Sequence, residues 1–289
     1  MNDTLTSSPI DDESPSSAVS KTVAPQQILA FNDAEASENK IHSDDIATRY
    51  GFKGALVSGV NLFGYLTQSL VRCYGADWLE RGIMDVVFLK PAFAEELLSI
   101  RTETLGSESS KRNHLSCLYN ESDQLLAKLE SWLPDQLPEP SEHLEKCSAS
   151  AGAVEARPEI SWDEIKLLQS APAYLWTPDS SENEAHVEIQ RDQSALYKGD
   201  NAYLQPYLIL KTCNKALMNM FVMPAWIHTG SKLVLRRPLR VGQNISVRCM
   251  PIDKWERRGH QFIKLYIAML VDDELALEVE HSAIFRIAS

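Results

Sequence analysis

The stretch Val60-Asn-Leu-Phe-Gly-Tyr-Leu-Thr-Gln-Ser-Leu-Val-Arg-Cys-Tyr74, followed after a short break by Met84-Asp-Val-Val-Phe-Leu-Lys90-Pro91, decides the fold. In the first run Val60, Leu62, Phe63, Leu66, Leu70, Val71 and Tyr74 recur at spacings of three and four. That is the period of one helix face, and it predicts a long, largely buried helix. The second run is β-branched and aromatic and is stopped by Pro91, as a strand would be. Strand-like runs continue at 97–105, 114–119 and 125–133, separated by Gly-Ser or Asn-Glu-Ser turns. One helix followed by about four antiparallel strands predicts an α+β layer in which a sheet wraps a helix, not the alternation of a parallel sheet.

Outward from this centre, 25–31 reads as a short helix or strand, and 32–45 as a polar stretch too hydrophilic for a core. A helical turn follows at 45–50, stopped by Gly51, and 51–59 reads as a tight loop. The second half repeats the order without obvious residue identity. An apolar helical run at 203–223 ends at Pro224, and 231–235, 243–251, 261–271 and 275–287 read as four strands. Self-similarity at half the chain length points to a duplicated fold, which would act as an internal pseudo-dimer, with a homodimer of the whole as a further option.

The chain has 289 residues, 44% hydrophobic and 24% charged, with a net charge of −12. That composition fits a globular protein and argues against a nucleic-acid binder, whose phosphate contacts need a positive surface. The charge is concentrated. Asp3, Asp11, Asp12 and Glu13 outweigh Lys21 in a Ser/Thr/Pro-rich segment, 1–22, that reads as a disordered tail. Further acids gather around a Pro-rich linker at 134–159. Two modules remain, 23–133 and 160–289. No apolar run reaches the roughly 18 residues that would span a bilayer, and the N-terminus lacks a secretory signal, so the expectation is a cytoplasmic protein. Cys73, Cys117, Cys147, Cys213 and Cys249 are far apart with no metal-ligand spacing, and read as reduced thiols.

The run Phe31-Asn-Asp-Ala-Glu-Ala-Ser37-Glu-Asn39-Lys-Ile41-His42, with Asp44, Ala47, Gly51-Phe52, Gly54 and Gly59 after it, resembles the signature of the MaoC-like hotdog-fold dehydratases and (R)-specific enoyl-CoA hydratases. The strand Val86-Val-Phe88-Leu-Lys90-Pro91 and the following 93–98 are also similar. The resemblance covers about 25–105 and is architectural over 160–289. It implies a tandem hotdog, each an antiparallel sheet around a long central helix. The implied activity is a hydro-lyase reaction across the α,β bond of a CoA- or carrier-bound acyl thioester, with no cofactor or metal.

Such a reaction needs a base for water, an acid for the α-carbon and donors for the thioester oxygen, where negative charge develops. By the resemblance, His42 is the acid/base, Asn39 positions water or His42, and the Gly59 N–H polarises the carbonyl. Asp44 and Ser37 are secondary candidates, and Ser58, Val57 and Lys90 line the substrate. The chain departs from the pattern in three ways. Ser37 stands at the family's catalytic aspartate, Ser58 replaces the histidine before the helix-opening glycine, and the His42–Gly51 spacing is one residue short.

Serine holds no negative charge, which leaves three readings. Asp33, Glu35, Glu38 or Asp44 supplies the carboxylate from a shifted loop; His42 alone serves a related reaction on a thioester or polyketide-like substrate; or the protein is a non-catalytic acyl-thioester-binding hotdog that has lost the Asp.

Plainer roles stand beside these. His42 could be a surface histidine capping the 45–50 helix, and Ser58 a helix N-cap. His228, His260 and His281, in different elements without HxH or HxxxH spacing, read as separate structural residues. Trp226-Ile-His228-Thr-Gly230 could line the cleft from the second module. The segment 231–260 carries a local charge of +6 that includes Arg257 and Arg258. It is either a charged strand edge or the site of a coenzyme A diphosphate, whose oxygens arginine forks match.

Overall fold

The computed structural model describes residues 23–105, 112–147 and 156–288; the expected tail at 1–22 lies outside them. The first half builds β1 (Val23–Leu29), α1 (Asp44–Arg49), α2 (Gly59–Tyr74), α3 (Ala76–Arg81), β2 (Ile83–Phe88), β3 (Leu97–Leu105), β4 (Arg112–Tyr119) and β5 (Leu125–Leu133). The second, after a short α4 (His143–Lys146), builds β6 (Tyr174–Trp176), α5 (Ser180–Ile189), α6 (Pro206–Met220), β7 (Ile227–Leu235), β8 (Ile245–Arg257), β9 (His260–Val271) and β10 (Glu274–Arg286). No helix among the described residues is long and apolar enough to cross a membrane.

The ten strands among the described residues form one antiparallel sheet in the order β1-β3-β4-β5-β2-β7-β10-β9-β8-β6. Read outward from the central β2–β7 seam, the halves have the same order. The seam runs from Ile83 opposite Val234 to Val87 opposite Gly230. α2 lies against β3, β4 and β5, α6 lies against β8 and β9, and the two helices pack on each other. The buried side of α2 includes Leu62, Phe63, Tyr65, Leu66 and Leu70, which share one core with Tyr207, Leu210 and Leu217 of α6. Gly64 sits where α2 passes closest to the second half. A Cβ there would meet the Gln190 side chain and lie 3.0 Å from Cβ of Tyr207.

Several elements differ from the sequence expectation. The second-half helix starts at Pro206 and not at 203, because proline has no N–H to satisfy and fits a first turn; Gln205 caps it by accepting from Tyr207 N at 2.6 Å. It ends at Met220, before Pro224, with Phe221 already extended. Helices α3 and α5 and strand β6 were not expected. The part of the acidic linker that precedes 148 is not solvated throughout. Cys147 is buried against Met250, Tyr266, Ala268 and Leu270, and Ser141 N donates to the buried Glu278 carboxylate at 2.8 Å. The rest of that linker up to 155 lies outside the described residues.

Candidate active site

The polar stretch before α1 is partly core. Asn39, Ile41 and His42 are only 3%, 1% and 8% exposed. A one-turn 3-10 helix, Lys40–His42, accounts for it: Asn39 Oδ1 caps the turn by accepting from Ile41 N, and Ile41 turns into a small apolar cluster with Ala47 and Leu56. His42 is therefore not a surface capping histidine. Its Nδ1 lies 2.7 Å from the Leu56 carbonyl oxygen, which can only accept, so Nδ1 carries the hydrogen and Nε2 the lone pair. Burial pushes the His42 pKa below the ordinary histidine value, against the upward pull of the Leu56 carbonyl and of the Asp33 charge. The ring is neutral near pH 7, with Nε2 able to accept a proton.

Asn39 is occupied. Its Oδ1 accepts from Trp226 N at 3.1 Å and its Nδ2 donates to Trp226 O at 3.0 Å, a two-point clamp onto the second half. Lys40 N adds a bond to Pro224 O at 2.9 Å. The remaining Asn39 contact is a long one, 3.3 Å from Nδ2 to His42 Nε2. Asn39 thus orients His42 and fixes the loop across the module boundary, and its amide is not free to hold water.

His42 faces a cavity of about 240 Å³ between the two modules, lined also by Val57, Ser58, Gly59, Phe88 and Lys90. The start of α2 opens onto it. Ser58 is the N-cap residue, yet its side chain makes no capping bond. Among the described residues, the Gly59 and Val60 N–H groups have no acceptor. These are the free donors of a helix start, where the dipole favours negative charge. A Cβ at 59 would lie 3.1 Å from the Phe88 ring, tighter than an ordinary contact, so the ring would have to shift by a few tenths of an ångström to admit a side chain.

A second chamber of about 480 Å³ meets the first at Asn39, His42, Ser58, Asn214 and Trp226, and its walls include Asp33, Ser37, Tyr207 and Lys211. Of the four carboxylates considered in place of the missing aspartate, Asp33 is the one brought to this chamber with His42. Its Oδ1 accepts from Asn61 Nδ2 at 2.7 Å and its Oδ2 accepts from the Tyr207 hydroxyl. Glu35 is exposed and lines neither chamber, and Glu38 pairs with Arg157 at 3.1 Å. Asp44 is exposed and also lines neither chamber: its carboxylate accepts from Ala55 N at 2.7 Å and braces the 51–59 loop. Ser37 reaches the second chamber but donates to Asn39 O at 3.1 Å.

Four of the eight Lys and Arg residues of 231–260, Arg236, Arg237, Arg240 and Arg248, are held in ion pairs. Arg236 joins buried Glu278, Arg240 joins Glu80, and Arg248 joins Asp273. Arg257 and Arg258 stay exposed at the β8–β9 tip, in a groove that adjoins the first cavity through Phe88, Leu89 and His260. His228 and His281 are not separate. Ser231 Oγ lies 2.9 Å from His228 Nε2 and 2.9 Å from His281 Nδ1, with the rings 4.2 Å apart. His228 also lines the first cavity and meets Phe88 edge-on. Sequence spacing gives no signal of this pairing, because it arises from the β7–β10 register. Tyr207 and Asn214 were likewise missed, as two polar residues inside an apolar helical run.

The sequence matches no protein-family model and no curated protein. Among solved structures, the chain is similar to a protein described as a MaoC domain dehydratase from Chloroflexus aurantiacus, at TM-score 0.62 and 10% identity over 91% of this chain and 95% of that one. It is similar to a Mycobacterium tuberculosis protein with a double hotdog fold, at TM-score 0.59 and 13% identity over 90% and 95%. A protein described as an oleoyl thioesterase from Lactobacillus plantarum follows at TM-score 0.54 and 9% identity over 94% and 98%. The chain has the double hotdog fold of the MaoC-like proteins, a fold also found among acyl thioesterases.

Proposed function

We propose that the protein adds water to, or removes it from, the α,β bond of an acyl thioester at the His42 cavity. The observation that carries this reading is the convergence of neutral His42, the Asp33 carboxylate and the uncapped start of α2 on two chambers that meet at Ser58. In the hydration direction, His42 Nε2 takes a proton from water as the oxygen bonds to the β-carbon. The Gly59 N–H holds the negative charge that develops on the thioester oxygen. Protonated His42 then returns the proton to the α-carbon on the same face. Asp33 takes the place of the absent aspartate at 37: its charge favours the imidazolium formed during the reaction. Val57, Ser58 and Lys90 contact the substrate, and Arg257 and Arg258 at the groove mouth pair with the phosphates of a coenzyme A or carrier thioester. A cavity of about 240 Å³ suits a short acyl group.

One observation favours a second reading. Both Asp33 oxygens already accept hydrogen bonds, from Asn61 and Tyr207, which is what a purely structural carboxylate would do in a non-catalytic acyl-binding protein. Turnover of short enoyl-CoA by the full chain separates the two. We expect His42→Gln to lower kcat by roughly 10²–10⁴-fold, the range for loss of a general acid/base, and Asp33→Asn to lower it less. Binding of acyl-CoA without product, unchanged by His42→Gln, would establish the second reading instead.

A further inference from the structure

Where the two chambers meet, the second module contributes Asn214 from α6 and Trp226 from the segment leading into β7. Asn214 is 9% exposed and Trp226 2%, and two of their polar atoms, Asn214 Oδ1 and Trp226 Nε1, have no hydrogen-bond partner among the described residues. Buried polar atoms without partners are rare, and each costs stability until something pairs with it. The two are complementary: an amide oxygen only accepts and an indole N–H only donates. A single hydroxyl or water placed between them would pair with both, accepting from the indole N–H and donating to the amide oxygen. Both residues belong to the same small set as His42, whose Nε2 lone pair, engaged only by the long 3.3 Å contact from Asn39 Nδ2, is the third group such a water needs.

We propose that the second module completes the catalytic centre, with Trp226 Nε1 and Asn214 Oδ1 holding the oxygen that is added to or removed from the thioester. This rests on the hydration reading above and deepens it, by assigning to the other module the water-holding role that Ser37 and Asn39 cannot fill. The water accepts from Trp226 Nε1, donates one proton to Asn214 Oδ1 and the other to His42 Nε2. As its oxygen bonds to the β-carbon, the O–H bond to His42 breaks and the electron pair of the double bond moves toward the α-carbon and thioester oxygen. The proton on His42 then forms the α C–H bond. One water is consumed and no other reactant is needed. Trp226 has two separable duties: its backbone clamps Asn39, and its indole N–H faces the reacting oxygen.

The test uses the full chain and two CoA thioether analogues that cannot eliminate water, matched in length, one with a β-hydroxyl and one without. By calorimetry the hydroxyl analogue is expected to bind roughly ten- to a hundred-fold tighter, since its hydroxyl takes over the bonds of the held water, whereas the saturated alkyl analogue crowds that water or displaces it and leaves two buried groups unpaired. Trp226→Phe, which keeps the ring packing and the backbone clamp, and Asn214→Leu are each expected to cut that preference about tenfold. Each is also expected to lower kcat for the enoyl thioester at least tenfold while its KM moves less than threefold, because the enoyl substrate carries no hydroxyl. Equal binding of the two analogues by the wild-type protein, or a preference that survives in both variants, overturns this assignment alone. Binding of neither analogue overturns the acyl-thioester reading itself, and this assignment with it.

Discussion

Asn39 shows how one side chain can hold another in place by pairing with the backbone of a distant segment. Its amide pairs with Trp226 N and O as a neighbouring strand would, and that clamp holds the turn on which His42 sits. Asn39→Ala would leave both Trp226 backbone groups buried and unpaired, at about 2 kcal/mol of stability, measurable by denaturant unfolding. The His42–Asp33 relation is best read from pH dependence. In the proposed reaction His42 acts as its neutral form, so kcat/KM is expected to rise with pH through the His42 pKa, which burial places below the usual histidine value. Asp33 pulls that pKa upward. Asp33→Asn therefore moves the acidic limb of the profile to lower pH, whereas an Asp33 with no electrostatic role would leave the limb in place.

At the level of elements, the decisive packing is α2 against α6. Alanine at a helical glycine usually gains up to about 1 kcal/mol from propensity. At Gly64 the new methyl would meet Tyr207 and the Gln190 side chain, which is itself fixed by donating to Asn61 Oδ1 at 2.7 Å. Overpacking of this kind costs about 1–3 kcal/mol, so the clash wins and Gly64→Ala is expected to lower the unfolding midpoint. The legibility of the sequence follows the same division. The α2 face was readable because Phe63, Leu66 and Leu70 repeat at helical spacing, and the strands after it because they are β-branched and bounded by turns. His42 and Gly59 were readable through a resemblance of short local motifs. Asp33 could not be separated from Glu35, Glu38 and Asp44, since only Tyr207 and Asn61, distant in sequence, select it. The His228–Ser231–His281 contact depends on a bulge in the β7–β10 register, which no spacing rule reads.

At the scale of the whole molecule, two like halves share one sheet and one cavity, but the halves are chemically unequal. The first carries His42 and the α2 start, while the second carries buried histidines kept neutral. Burial lowers the His186 pKa to about 4 and that of His281 to about 3. The unfolded chain binds these protons near pH 6.5, so below that value it holds more protons than the folded one. Stability is full above about pH 6.5 and falls as the pH drops toward 4 and 3, a decline that His186→Gln should make shallower in thermal unfolding. The proposed reaction lies at the seam between the halves, with the acyl thioester placed against His42. Its most direct test is a progress curve for a short enoyl-CoA with the full chain, following the conjugated thioester absorbance and free thiol together. Loss of the conjugated absorbance with no thiol released, abolished by His42→Gln, is the expected result. Thiol release, or no change in either signal, would contradict it.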